Sequence, residues 1–82
     1  MYKVYILKSI PVGSYYIGSC EDVAVRLKQH NHGSVKSTKR YSPWEVVYTE
    51  RLATLKDARA REKQIKSWKK RATIEKLINS KN

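Results

Sequence analysis

The sequence predicts an α+β fold with three strands and three helices in the order β-β-α-β-α-α. Three observations carry that expectation. Residues 2–8 and 15–19 are rich in β-branched and aromatic side chains and flank a segment holding Pro11 and Gly13, as strands flank a hairpin turn. A third such run, at residues 45–51, centres on Val46, Val47 and Tyr48. Between and after these runs, apolar residues recur at helical spacing.

The first two strands are expected to pair antiparallel across the turn at residues 9–14. A turn centred near Ile10-Pro11 would set Tyr5 opposite Tyr16, and directly opposed residues share one face of a sheet. Asp22 is a suitable N-cap for a helix from Val23 to about Asn31, closed by Gly33. Val23 and Leu27 mark the apolar stripe of that helix. Arg26 and His30 are four apart, one turn from each other, and flank the stripe. Residues 33–43 read as a basic, polar loop. The clearest helix opens at Thr54-Leu55-Lys56-Asp57, a capping box with Asp in place of Glu. Leu55, Ala58, Glu62 and Ile65 share one of its faces, with Trp68 at the far edge, while Lys56, Arg59, Lys63, Lys66 and Lys70 spread over the remainder. A short last helix would hold Ile74, Leu77 and Ile78, with Thr73 as its cap.

A chain of 82 residues is expected to form one domain, residues 1–82. A domain this small buries only about 60% of the surface its unfolded chain exposes, which suits a shallow site open to a large polymer better than an enclosed cavity. Lys and Arg number 18 against 7 Asp and Glu, a formal net charge of +11. The excess is uneven: residues 51–82 hold eleven basic and three acidic side chains, residues 1–50 seven and four. So much like charge on a small body favours polyanions, because each phosphate neutralised releases a condensed counterion. Nucleic acid therefore ranks ahead of acidic lipid or a merely solvated basic surface. A single cysteine, Cys20, excludes an intramolecular disulfide and a zinc finger. The apolar run at the N-terminus is too short for a signal peptide or a membrane span, so the expectation is a cytoplasmic chain with no membrane partner.

Three groups of residues could carry chemistry. Glu62 is a scarce carboxylate on an apolar stripe, where desolvation costs several kcal/mol unless a cation or hydrogen bonds compensate. Its partner is either Arg26 or a nearby Lys, or a hard divalent cation needing only one or two protein carboxylates. Arg26 and His30 would supply a fork for phosphate and a group that exchanges protons near neutral pH; the plainer alternative is a surface Arg and a helix-terminal His. Tyr5 and Tyr16 are either cross-strand packing or, with cations lowering their pKa, proton-transfer groups.

Together these residues resemble one family. Lys3-Val4-Tyr5 followed by Tyr16-Ile17-Gly18 is similar to the paired tripeptides of the GIY-YIG nuclease superfamily, with the two tyrosines eleven apart. Asp22, Arg26-Leu27 and His30-Asn31 resemble that family's first helix, and Ala60-Arg61-Glu62-Lys63 its glutamate-bearing helix. Pro43-Trp44, Val47-Tyr48 and Lys66-Ser67-Trp68 are similar to small bacterial single-domain members of an excision-repair nuclease-like subgroup. Lys3 and Val4 stand where the first tripeptide has Gly and Ile, and Ser19-Cys20 stands where some repair-associated members carry a Lys.

The resemblance implies a small three-stranded sheet, mixed or antiparallel, with helices packed around it and a shallow cleft between hairpin, first helix and glutamate helix. It implies a metal-dependent endonuclease acting on phosphodiesters, with DNA ahead of RNA as substrate and a role in repair or recombination. Glu62 would hold Mg²⁺ or Mn²⁺. Tyr5 would take a proton from water, aided by His30, or the two would exchange roles; Tyr16 would orient the water or phosphate; Arg26 would stabilise phosphoryl charge. Lys36, Lys39, Arg40, Lys66, Lys69 and Lys70 would guide the nucleic-acid backbone without reading sequence. A monomer or weak homodimer is expected. The alternative is a non-catalytic nucleic-acid-binding module on the same fold.

Overall fold

The structure, a computed structural model, describes residues 1–80. Its elements are β1 (Tyr2–Ser9), β2 (Tyr15–Cys20), α1 (Val23–Asn31), α2 (Lys36–Lys39), β3 (Trp44–Leu52), α3 (Leu55–Lys66) and α4 (Arg71–Asn79). The predicted order holds, with one addition. The loop at residues 33–43 contains the single turn α2, which has no apolar period and no side-chain cap to reveal it.

The sheet runs β2-β1-β3, and β1 pairs antiparallel with both neighbours. It is therefore antiparallel throughout rather than mixed. As the central strand, β1 is covered on both faces: Val4, Tyr5, Ile6 and Leu7 are each 0–1% exposed. Such a strand reads as a continuous apolar run rather than an alternation. Because successive side chains point to opposite faces, β1 seeds two cores. Val4 and Ile6 join Ile17, Tyr48, Ala58, Ile65 and Ile74 beneath α3 and α4. Tyr5 and Leu7 join Trp44, with Tyr16, Cys20, Val23, Leu27 and Val46, beneath α1.

The pairing of β3 shifts partway along. Ile6 lies opposite Tyr48 but Leu7 opposite Val46, so Val47 is an extra residue, a β-bulge. The bulge reverses the facing of everything after it. Trp44 and Val46 turn toward α1, whereas Tyr48 turns toward α3.

The caps expected of α1 and α3 are present. The Asp22 carboxylate accepts from the Val25 N–H at 3.2 Å, and the Thr54 hydroxyl from the Asp57 N–H at 3.1 Å. Gly33 follows α1 with φ of 77°, left-handed backbone that costs a residue without a Cβ little. Thr73 is not a cap. It lies inside α4, whose N-cap is Lys70 with no side-chain bond to the helix. No helix among the described residues is long and apolar enough to cross a membrane.

The hairpin register differs from the expected one by two residues. Tyr5 lies opposite Gly18, and Tyr16 opposite Leu7, so the turn centres between Pro11 and Val12. Ser9 N–H donates to Ser14 O and Gly13 N–H to Ser9 O, both at 2.8 Å, closing the wider turn. A shift of two preserves the facing, so the tyrosines still share a surface, now as diagonal neighbours with ring centroids 6.3 Å apart. The Tyr5 ring lies over Gly18, where a Cβ would fall on its hydroxyl and Cζ. Gly18→Ala is expected to destabilise the fold by about 1–3 kcal/mol through overpacking. Urea denaturation with an unchanged m-value checks this, and unaltered stability would contradict the close approach.

Candidate active site

The site begins with Tyr5 because β1 turns it toward α1 and buries it. His30, in the last turn of α1, is fully buried against it. The Tyr5 hydroxyl and His30 Nε2 are 3.1 Å apart, and the opposite ring nitrogen, Nδ1, lies 2.7 Å from the Thr38 hydroxyl on α2. Tyr16 packs its ring edge-on to the imidazole at 4.8 Å and to Trp44 at 6.3 Å. Arg26, one turn before His30, lies beside the Tyr5 hydroxyl and donates to Gln29 Oε1 at 2.7 Å. Four of the five predicted catalytic residues therefore converge on the α1 face of the sheet.

The fifth stands on the other side of β2. Ser19 lies opposite Val4 and shares its facing, toward α3. Its hydroxyl donates to Glu62 Oε1 at 2.6 Å, and Lys66 Nζ reaches Glu62 Oε2 at 2.6 Å. Gly18 and Cys20, on either side of Ser19, face α1, where Arg26 acts on Cys20. Arg26 and Glu62 thus bracket the same three residues of an edge strand from opposite faces. The expected partner of Glu62 is a lysine, Lys66, and not Arg26. Among the described residues, Glu62 belongs to no group of three or more His, Cys, Asp or Glu side chains that could hold a metal ion.

Burial sets the proton affinities. It pushes the Tyr5 hydroxyl above its ordinary 10.0, and the Arg26 guanidinium beside it offsets only part of the rise. It also pushes His30 below 6.5, and Arg26 adds to the fall. Tyr5 is accordingly protonated and His30 neutral at neutral pH. For Glu62, burial raises the carboxyl, but the bonds from Lys66 and Ser19 outweigh it and hold the group below 4.5.

The predicted phosphate-contacting residues form two exposed groups. Lys36, Lys39 and Arg40 lie on and just after α2, the turn whose Thr38 bonds the imidazole. Lys66, Lys69 and Lys70 run from the end of α3 to the start of α4. An open cavity of ≈ 420 Å³ between Lys8, Tyr15, Glu45, Val47, Glu75, Ile78 and Asn79 includes none of the site residues.

Sequence reasoning missed the supports. Asn31 Nδ2 donates to Trp44 O at 3.2 Å while Trp44 N–H donates to Asn31 Oδ1 at 2.6 Å, and Trp44 Nε1 donates to Thr38 O at 2.9 Å. These bonds hold α2 beneath His30. Thr38 sits in a polar, basic stretch with nothing to distinguish it. Ser19 follows the second tripeptide directly and could have been found as the hydroxyl facing the glutamate helix.

This fold and this juxtaposition of two tyrosines, Arg and His define a class. The sequence profile of the GIY-YIG catalytic domain matches residues 1–77, and the chain belongs to that family. It is 42% identical over 66 residues to a UPF0213 protein of Staphylococcus epidermidis, and 41% identical over 66 residues to one of Staphylococcus aureus strain N315. Each match covers 79% of both chains. The solution NMR structure of the UPF0213 protein BH0048 from Bacillus halodurans is similar with a TM-score of 0.62. It is 32% identical and covers 99% of this chain and 86% of that one.

The lowered His30 pKa has a thermodynamic sign. The unfolded chain binds the imidazole proton more readily, so the stability due to a neutral His30 is complete above about pH 6.5. It is lost progressively as pH falls through that value toward the folded one. Glu62, with a depressed pKa, loses its contribution in a separate window, as pH falls below about 4.5. Thermal melts should show a steeper loss of Tm from about pH 7.5 to about pH 5.5 in the wild type than in His30→Gln. Parallel profiles would remove the neutral-imidazole assignment.

Proposed function

We propose that the chain is a divalent-metal-dependent endonuclease that hydrolyses phosphodiester bonds, with DNA ahead of RNA as substrate and repair or recombination as its setting. The observation that carries this reading is the buried Tyr5–His30 hydrogen bond with Arg26 beside it, at positions that match the family's motif. Packing alone does not call for a tyrosine hydroxyl, an imidazole and a guanidinium to meet.

Each residue has a role that suits its environment. Tyr5 holds its proton firmly, so it acts as a base only by passing that proton on, and the neutral imidazole of His30 is the acceptor at Nε2. Arg26 would bond a phosphate oxygen and stabilise the charge that grows there in the transition state. Tyr16, half-buried against His30, would orient the attacking water or the phosphate. Glu62 is ionised, and its chemistry suits Mg²⁺ or Mn²⁺, which accept one carboxylate and complete their shell with water and phosphate oxygens. Such an ion would supply Lewis-acid stabilisation of the departing oxygen. Lys36, Lys39, Arg40, Lys66, Lys69 and Lys70 would track the backbone.

A second reading has its own support. Both Glu62 oxygens are already bonded, to Ser19 and Lys66, as in a structural ion pair. A non-catalytic nucleic-acid-binding module would have that arrangement. Titration with Mn²⁺ separates the two: paramagnetic broadening centred on Glu62 supports the enzyme, and nucleic-acid binding without it supports the module.

In a supercoiled-plasmid nicking assay with Mg²⁺ or Mn²⁺, Glu62→Ala and Arg26→Ala should each lower the rate by on the order of 10²-fold or more while the protein stays folded. Chelation by EDTA should stop cleavage by the wild type. Full activity in either variant would sink the proposed mechanism.

Affinity for DNA should also depend steeply on salt. If the six named cations engage phosphates, binding weakens on the order of 10³-fold between about 50 and about 200 mM salt. Fluorescence anisotropy across that range checks this, and a flat profile would contradict the role assigned to the basic residues.

A further inference from the structure

We propose that Thr38 is a positioning residue that accepts the Nδ1 hydrogen of His30 and, with Arg26 and Tyr5 at the other end, holds the tautomer in which Nε2 receives the Tyr5 proton. This rests on the nuclease reading for its catalytic consequence, but the tautomer itself follows from hydrogen-bond polarity.

Thr38 is 1% exposed, and His30 and Tyr5 are buried to the same degree. Each proton in this chain of groups must therefore find a protein acceptor. The Thr38 hydroxyl has one proton and two neighbours, the Val35 carbonyl at 3.2 Å and His30 Nδ1 at 2.7 Å. A carbonyl only accepts. The other end is constrained as well. The Tyr5 hydroxyl lies between the Arg26 guanidinium, which only donates, and His30 Nε2. Its proton has Nε2 as its acceptor, so Nε2 carries a lone pair and Nδ1 carries the hydrogen. Nδ1–H then donates to the Thr38 oxygen, and the Thr38 proton goes to Val35 O.

The bonds thus run in one direction, from Arg26 through Tyr5, His30 and Thr38 to the Val35 carbonyl. The opposite tautomer leaves the Tyr5 proton facing a cation. The hydroxyl is aimed by backbone geometry: Val35 O also accepts from the Thr38 N–H at 3.2 Å, and Trp44 Nε1 holds the Thr38 carbonyl.

The consequence for hydrolysis follows by counting protons. As water attacks phosphorus, one of its protons passes to the Tyr5 oxygen and the proton already on Tyr5 passes to Nε2. A new P–O bond forms, the bond to the 3′-oxygen breaks, and that oxygen takes a proton from solvent. The imidazolium so formed keeps its Nδ1–H on Thr38. With the hydrogen on Nε2 instead, the ring has no lone pair facing Tyr5, and the transfer stops.

The test is long-range ¹H–¹⁵N correlation of the imidazole rings at neutral pH in the full chain, with the exposed His32 as an internal comparison. The wild type should show His30 protonated at Nδ1. Thr38→Ser should keep that pattern, and Thr38→Val should lose it, with a mixed or Nε2-protonated ring. In the nicking assay Thr38→Val should lower kcat by on the order of 10²-fold with little change in KM, and Thr38→Ser should recover most of the rate. A wild-type His30 carrying its proton on Nε2 overturns the proposal without any variant. Retention of the Nδ1–H pattern or of full kcat in Thr38→Val overturns it too. A wild type that nicks nothing sinks the nuclease reading, while the ring spectra still decide what Thr38 holds in place.

Discussion

The whole arrangement depends on one strand being buried on both sides. β1 has no solvent-facing side chain from Val4 to Leu7, so its alternation divides the molecule into two layers. The even positions anchor α3 and α4, where apolar contact dominates. Tyr5, between them, is turned to the opposite layer and brings a polar hydroxyl into a buried site. A buried hydroxyl needs a partner, and the partner supplied is an imidazole from α1. The candidate chemistry is thus a direct product of strand parity and desolvation.

That desolvation also divides the labour within the site. The same burial that makes the phenol harder to ionise makes the imidazole harder to protonate. The two groups are shifted apart, one toward holding a proton and the other toward being free to take one. Arg26 sits where it acts on both, moderating the first shift and reinforcing the second. The carboxylate of Glu62 is governed separately, on the far face of β2, by a serine and a lysine that keep it charged.

Much of this was legible in the sequence, and what was not has physical reasons. The caps at Asp22 and Thr54 were readable because a helix start has a short, local chemical signature. The hairpin was readable but its register was not, since Ile10 to Ser14 accommodates more than one turn; an error of two residues left every facing correct. The bulge at Val47 was hidden because Val46, Val47 and Tyr48 are all apolar, and no alternation marks where the strand changes phase. Thr38 carries no signal of its own because its role is conferred by bonds with His30 and Trp44, which lie on other elements. Thr73 misled for the complementary reason: a residue type common at helix starts here lies a turn inside one.

The bulge also ties the two layers together. β3 spends its first residues, Trp44 and Val46, on the floor under the imidazole and its later ones, Tyr48 and Leu52, in the helical core opposite. One continuous segment is therefore a fastener for both halves. Losing a single residue at that point would invert the orientation of the strand's first half. The indole and Val46 would then both leave the apolar cluster beneath α1.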